Sequence, residues 1–195
     1  MAAADTRLSR TRLAGHGVSV VSSHPGELES AMTLADGRIF RLRPTRSSDI
    51  DALRKLFAEL SGNEIRMRFL HAMSKVPETQ VREFSLLDDQ WAMSFVLVGR
   101  EAGNDLEILG YVQIIPDPDR VRGEFAILVR ADLTRMGIGR ALLEHVIGHA
   151  RKQGMREMYA HSLFDNTAML SLAKALGFSF SDSGDPEAVI MTLRL

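Results

Sequence analysis

Apolar and polar positions alternate with period two along "AMTLADGRIFRLRP", in two short runs joined by Asp36-Gly37. That dipeptide tolerates the positive φ values of a tight turn, so the stretch predicts a β-hairpin. The period then changes. Ile50, Leu53, Leu56, Phe57 and Leu60 share one face of a helix that opens at Ser47 or Ser48 and ends near Gly62. Ile65 to Leu70 and Glu78 to Leu86 read as two further short helical pieces on either side of "SKVP". Three apolar runs follow, Trp91 to Gly99, Leu106 to Ile115 and Val121 to Val129, with turn residues in "EAGND" and "PDPDR". Connections this short predict an antiparallel meander. Beyond them the pattern gives a helix over Ile138 to Gln153 closed by Gly154, a strand over Met158 to His161, a helix over Asn166 to Leu176 ended by Gly177, and closing strands in "FSF" and "AVIMTLRL". A strand, a helix and a second apolar strand imply a parallel crossover from Phe125–Val129 to Met158–His161. The predicted class is α/β with a mixed, mostly antiparallel sheet.

Composition narrows the reading. The 195 residues are 45% hydrophobic and 25% charged, which suits one globular domain and a tail. Residues 1–30 form the tail, flexible or loosely docked, and residues 31–195 the domain. Arg7, Arg10 and Arg12 among several Ser give the tail a transit-peptide flavour, but Asp5 and Pro25-Gly26 break the amphipathic pattern. The sequence has no Cys, which excludes a disulfide scaffold, a thiolate metal site and a thiol nucleophile. A net charge of −1 gives no reason to expect nucleic acid or a membrane surface as partner. No apolar run approaches the roughly 18–20 residues of a membrane-spanning helix. The expected location is the cytoplasm.

The chemistry concentrates in "LTRMGIGRALL", where Gly137 and Gly139 fall between a strand and a helix. Backbone N–H groups of a helix's first turn have no partner inside it, and its dipole puts about half a positive charge there, so an anion can bind on the amides. Two glycines let a phosphate come close, and Arg135 and Arg140 add charge; a tight turn with a packing glycine is the plain alternative. Leu142 stands where a dinucleotide fingerprint needs its third glycine, and no lysine follows a glycine as a Walker loop requires. The motif therefore predicts a pyrophosphate belonging to neither of those cofactor classes. His145 and His149 lie four apart beside Glu144, but the order is not His-Glu-x-x-His and both flank the apolar stripe of Ile138, Leu142, Val146 and Ala150. No metal site is expected.

"VRADLTRMGIGRALL" followed about 25 residues later by "NTAMLSLAKALGF" resembles the GNAT superfamily of acetyl-CoA-dependent N-acetyltransferases. "DGRIFRLRPTRSSDIDALRKLFAELSGNEIRMRF" further resembles the opening of bacterial protein lysine acetyltransferases that modify acyl-CoA synthetases. The resemblance implies the GNAT fold, a central sheet of six to seven strands with helices on both faces, and acetyl-CoA as cosubstrate without a metal. It implies that the backbone of Ile127, Leu128 and Val129 pairs with the pantetheine arm. It implies that Arg135, Met136, Gly137, Ile138, Gly139 and Arg140 hold the pyrophosphate, and that Asn166 lies near the thiol end. Asn166 is also a plausible helix N-cap, and the two duties are compatible.

The resemblance singles out Glu124 as the base. A lysine amine is protonated at neutral pH and must lose a proton before attacking a thioester. A carboxylate beside Phe125 and Ala126 would have its pKa raised by burial; read without the family, a strand Glu is usually a solvated face. Two positions depart from the pattern: Thr134 where Gln or Arg is common, and Ala173 where many members carry a Tyr that protonates the leaving thiolate. The expected acceptor is a protein lysine, on a partner such as an acyl-CoA synthetase, with a small amine or a protein N-terminus as the alternative. A second copy of the chain, forming a homodimer, is a further partner the reading allows. A non-catalytic acyl-CoA sensor is the reading from another class.

Overall fold

A computed structural model describes residues 9–12, 19–22, 28–34, 37–85, 92–100 and 106–195. Asp36 of the expected hairpin turn, Leu86 and Trp91 lie outside the described residues. The strands are β1 (Ser9–Arg12), β2 (Ser19–Ser22), β3 (Ser30–Thr33), β4 (Ile39–Pro44), β5 (Met93–Arg100), β6 (Leu106–Pro116), β7 (Arg122–Val129), β8 (Glu157–Leu163), β9 (Ser179–Asp182) and β10 (Ala188–Arg194). The helices are α1 (Ile50–Ala58), α2 (Gly62–Phe69), α3 (Glu78–Ser85), α4 (Ile138–Lys152) and α5 (Thr167–Ala175).

Among the described residues the strands form one sheet in the order β1-β2-β3-β4-β5-β6-β7-β8-β10-β9. Every neighbouring pair is antiparallel except β7 and β8, which are parallel as the crossover pattern predicts. The sheet is wider than the expected six to seven strands. Both closing runs join it, the Gly37 hairpin extends its other side, and β1 and β2 lie at that edge within the segment read as a tail.

Alternation along the strands splits the interior into two cores. Val112 and Ile114 of β6 and Phe125 of β7 point to the α4 side, where they meet Ile138, Leu142 and Val146. Tyr111 of β6 and Leu128 of β7 point to the opposite side and meet Leu53, Phe57 and Phe84 from α1 and α3. α2 opens with a capping box, in which the Ser61 hydroxyl accepts from the Glu64 N–H and the Ser61 N–H donates to the Glu64 carboxylate. α1 is tied to β4 by the Arg43 guanidinium, which donates two bonds of 2.7 and 2.8 Å to the Asp49 carboxylate inside the protein.

His145 and His149 both set their rings edge-on to Phe95, at 4.6 and 5.3 Å between centroids. Burial first, then the charges of His149 and Lys152, lower the His145 pKa to about 4. Because the fold disfavours the charged form, an unfolded chain binds an extra proton between the ordinary histidine value of about 6.5 and about 4. Stability from this group is therefore full above about pH 6.5 and is lost as pH falls toward 4, by up to about 3 kcal/mol. Urea titrations at pH 7 and pH 4.5 are expected to show that loss, and a His145→Gln variant a smaller one.

Candidate acetyl-transfer site

The site lies where two neighbouring strands part. β7 is hydrogen-bonded to β6 along its whole length, from Gly123 opposite Pro116 to Val129 opposite Gly110. On its other side it pairs with β8 only at Arg122–Glu157, Gly123–Met158 and Glu124–Tyr159. From Phe125 to Val129 that edge has no strand partner among the described residues, which leaves backbone donors and acceptors for an extended ligand. Ile127 and Val129 pack their side chains against the α4 core and Leu128 points into the other, so all three present only backbone to the gap.

The glycine loop stands at the wide end of this gap. After β7 the chain makes a 3-10 turn over Ala131–Leu133, held by the buried Leu133 and by Arg130, whose guanidinium pairs with Glu107 and Asp132. Thr134 donates its hydroxyl to the Ala131 carbonyl at 2.9 Å, a local duty that a longer Gln or Arg does not perform. Arg135 and Gly137 then take φ of 63° and 85°. Gly137 is the N-cap of α4 and has no side chain to cap an N–H; the helix's bonding begins with the Ala141 N–H donating to the Gly137 carbonyl at 3.1 Å. The amides of Ile138, Gly139 and Arg140 are thus left for another acceptor. Ile138 itself is buried and offers only its backbone. Arg140 donates to Glu144 at 2.9 Å one turn along, so its side chain is held against α4 by an i, i+4 pair. Met136 packs partly against the core.

The two glycines differ. A left-handed φ at Gly137 costs any other residue roughly 1–2 kcal/mol, whereas Gly139 is helical and an added Cβ would meet only Leu172 and Val129, at ordinary contact distances of 3.5 and 3.8 Å. Gly139→Ala is therefore expected to keep or raise the melting temperature while weakening coenzyme A binding, and Gly137→Ala to lower both. Calorimetric titration beside thermal melting separates the two effects, and unchanged affinity in Gly139→Ala would remove that position from the loop's function.

Glu124 stands at the point where β7 and β8 separate, on the α1–α3 side of the sheet. Its side chain is 51% exposed, so the burial expected of it is absent. The strand's alternation explains this: Phe125 is buried on one side while Glu124, at the end of the pairing with β8, has its side open. The Glu124 carboxylate lies 3.6 Å from His161 Nδ1, two residues along β8 from its register partner Tyr159. Tyr159 donates to Asp117 at 3.0 Å and carries the Arg122 guanidinium on its ring; burial, then Asp117, raises its pKa. α2 overlooks this floor, with Arg66 reaching Asp165 and Glu187 at 2.8 and 3.3 Å. His161, Arg66 and Arg68 were not singled out in the sequence; a two-residue alternation from Tyr159 would have found His161.

Asn166 accepts a bond from the Met169 N–H at 3.2 Å and is the N-cap of α5, which leaves its amide donors for a ligand. Ala173, by contrast, is fully buried, so its small side chain serves the packing of α5. No group of three or more potential metal ligands occurs among the described residues.

The sequence pattern of the Acetyltransferase (GNAT) family matches residues 62–178, and the chain belongs to that family. An acetyltransferase of Pseudomonas aeruginosa is 30% identical over 164 residues, 84% of this chain and 88% of the relative. Among solved structures, the GNAT domain of S. lividans PAT superposes with a TM-score of 0.77 at 23% identity, covering 88% of this chain and 99% of that one. RimL, a ribosomal L7/L12 alpha-N-protein acetyltransferase in complex with coenzyme A, superposes with a TM-score of 0.61 at 16% identity, covering 80% and 94%. The protein is thus an N-acetyltransferase with the GNAT fold.

Proposed function

We propose that the chain transfers the acetyl group of acetyl-CoA to the ε-amine of a protein lysine by direct attack. The observation that carries this is the juxtaposition of the open edge of β7, the uncapped start of α4 at one end of it, and Glu124 at the other. The amides of Ile138, Gly139 and Arg140 hold the pyrophosphate, and Arg135 lies beside it. The pantetheine arm runs along Ile127–Val129 as a surrogate strand, with the Asn166 amide near the thiol end. Backbone N–H groups around Leu128 polarise the thioester carbonyl and stabilise the oxyanion that forms there.

Glu124 takes a proton from the lysine ammonium, directly or through one water, and the freed nitrogen attacks the carbonyl carbon. The C–N bond forms, the nitrogen gives up its second proton to solvent, the C–S bond breaks, and the thiolate leaves as coenzyme A. With Ala173 buried, that thiolate is protonated by solvent, which an unperturbed thiol pKa of about 8.5 permits. The absence of Cys from the sequence removes the acetyl-thiol enzyme intermediate as a route.

A protein lysine, on an acyl-CoA synthetase, is favoured by the resemblance of residues 36–69 to the opening of the lysine acetyltransferases and by the position of Glu124. The function is tested by thiol release from acetyl-CoA with an acyl-CoA synthetase, peptides with free N-termini and small amines as alternative acceptors. Saturable release dependent on the synthetase is the expected result. Release with N-terminal peptides or small amines alone would replace the acceptor, and binding without release in every arm would make the chain an acyl-CoA sensor.

A further inference from the structure

We propose that Arg68 reads the acceptor, its guanidinium taking a carboxylate that the acceptor carries close to the amine being acetylated. The inference rests on the reading of the Glu124 side of the sheet as the acceptor's side.

Arg68 sits on α2 with its guanidinium carbon 5.0 Å from the ring centre of Phe69 and 5.4 Å from that of Phe84. Those rings stack on each other at 6.3 Å, so they fix the guanidinium while offering it no oxygen. Its Nε and Nη2 atoms are shielded from solvent and have no hydrogen-bond partner among the described residues. An unmade bond at a buried charged donor is costly, and native proteins rarely leave one without a reason. These two nitrogens form one edge of the guanidinium, the side-on fork whose spacing matches the two oxygens of a carboxylate.

The contrast with the protein's other enclosed arginines is specific. Arg43 holds Asp49, Arg66 holds Asp165 and Glu187, and Arg130 holds Glu107 and Asp132. Among the described residues these arginines each have a carboxylate partner, and Arg68 has none. The Tyr111 hydroxyl is turned toward Gln113 at 2.7 Å, and the Glu124 carboxylate, whose charge is felt at Arg68, faces His161 at 3.6 Å, so neither closes on the Arg68 fork. Arg68 as a residue is part-buried while its fork is shielded, and the charge of Glu124 reaches it, so the fork lies just beneath the side of the sheet that Glu124 faces. Glu124 for an ammonium and Arg68 for a carboxylate make the two poles of a site for an amine with an acid nearby. On a protein acceptor that acid is a Glu or Asp flanking the lysine; on a small amine it is the molecule's own carboxylate.

The test compares matched lysine peptides that differ only by Glu or Gln beside the lysine. Wild-type protein is expected to favour the Glu peptide by about tenfold in kcat/KM, chiefly through KM, which corresponds to about 1.4 kcal/mol. Arg68→Gln is expected to bring the ratio near one. Arg68→Lys, which keeps the charge and loses the fork, is expected to fall between them and serves as the readout if Arg68→Gln does not fold. Equal rates for the two peptides with wild type, or a preference that survives in both variants, overturns the assignment. If no lysine peptide is acetylated, the lysine reading fails separately, and the same comparison is made with amino acids against their amides. Equal turnover of acid and amide there overturns Arg68's role as well.

Discussion

Glu124→Gln is expected to lower kcat by about 10²- to 10⁴-fold, the usual contribution of a positioned general base, while coenzyme A affinity stays within a factor of two or so. The substitution keeps the shape of the side chain and removes its ability to take a proton. Glu124 lies at the closed end of the gap between β7 and β8, away from the glycine loop to which we assign the pyrophosphate, so on this reading binding and turnover separate. The deficit is expected to be larger at lower pH, where less of the acceptor amine is free without help, and to shrink as pH rises toward the lysine value of about 10.4. Because Glu124 is half-exposed, a proton it takes in the proposed role has a path to bulk water. Steady-state kinetics across pH with a parallel calorimetric titration measure both quantities, and unchanged kcat would remove Glu124 from the mechanism.

The second large effect concerns stability. Asp49→Ala is expected to cost about 3–5 kcal/mol, because it strands the Arg43 guanidinium without its partner inside the protein. The Arg43 and Asp49 side chains are only 5% and 1% exposed, and Asp49 also accepts from the Arg46 N–H at 2.8 Å. One carboxylate therefore joins β4 to the turn that starts α1, and α1 covers the core containing Phe57 and Tyr111. The melting temperature is expected to fall by roughly 10 °C. Replacing both partners, Arg43→Met with Asp49→Leu, is expected to recover much of the loss, since the penalty lies in the uncompensated charge. A loss below about 1 kcal/mol in Asp49→Ala would mean that water reaches Arg43.

The parts legible in the sequence are those set by local chemistry. Positive φ at Gly37, the Asn166 cap and the meander of β5, β6 and β7 follow from turn residues and alternation within a few positions. The parallel pairing of β7 with β8 followed from a helix between two apolar strands, but its end at Glu124 and Tyr159 did not. Nothing in either strand's pattern records where a neighbour turns away, although that departure opens the gap along β7. Glu124 was expected to be buried because it precedes Phe125, and the same departure of β8 leaves it open. The Arg140–Glu144 pair is visible in the sequence as an i, i+4 spacing. Arg68 between Phe69 and Phe84 depends on α2 and α3 meeting across a loop, which no local pattern specifies.

The central claim is that acetyl passes from a thioester lying along β7 to a lysine side chain presented to Glu124. Its most direct test is to incubate the protein with acetyl-CoA and an acyl-CoA synthetase and to locate the acetyl group by peptide mass spectrometry. The account predicts acetyl on a lysine side chain of the synthetase, lost when Glu124→Gln replaces wild type. Acetyl on an N-terminal amine instead, or on lysine at an equal rate with Glu124→Gln, would contradict it.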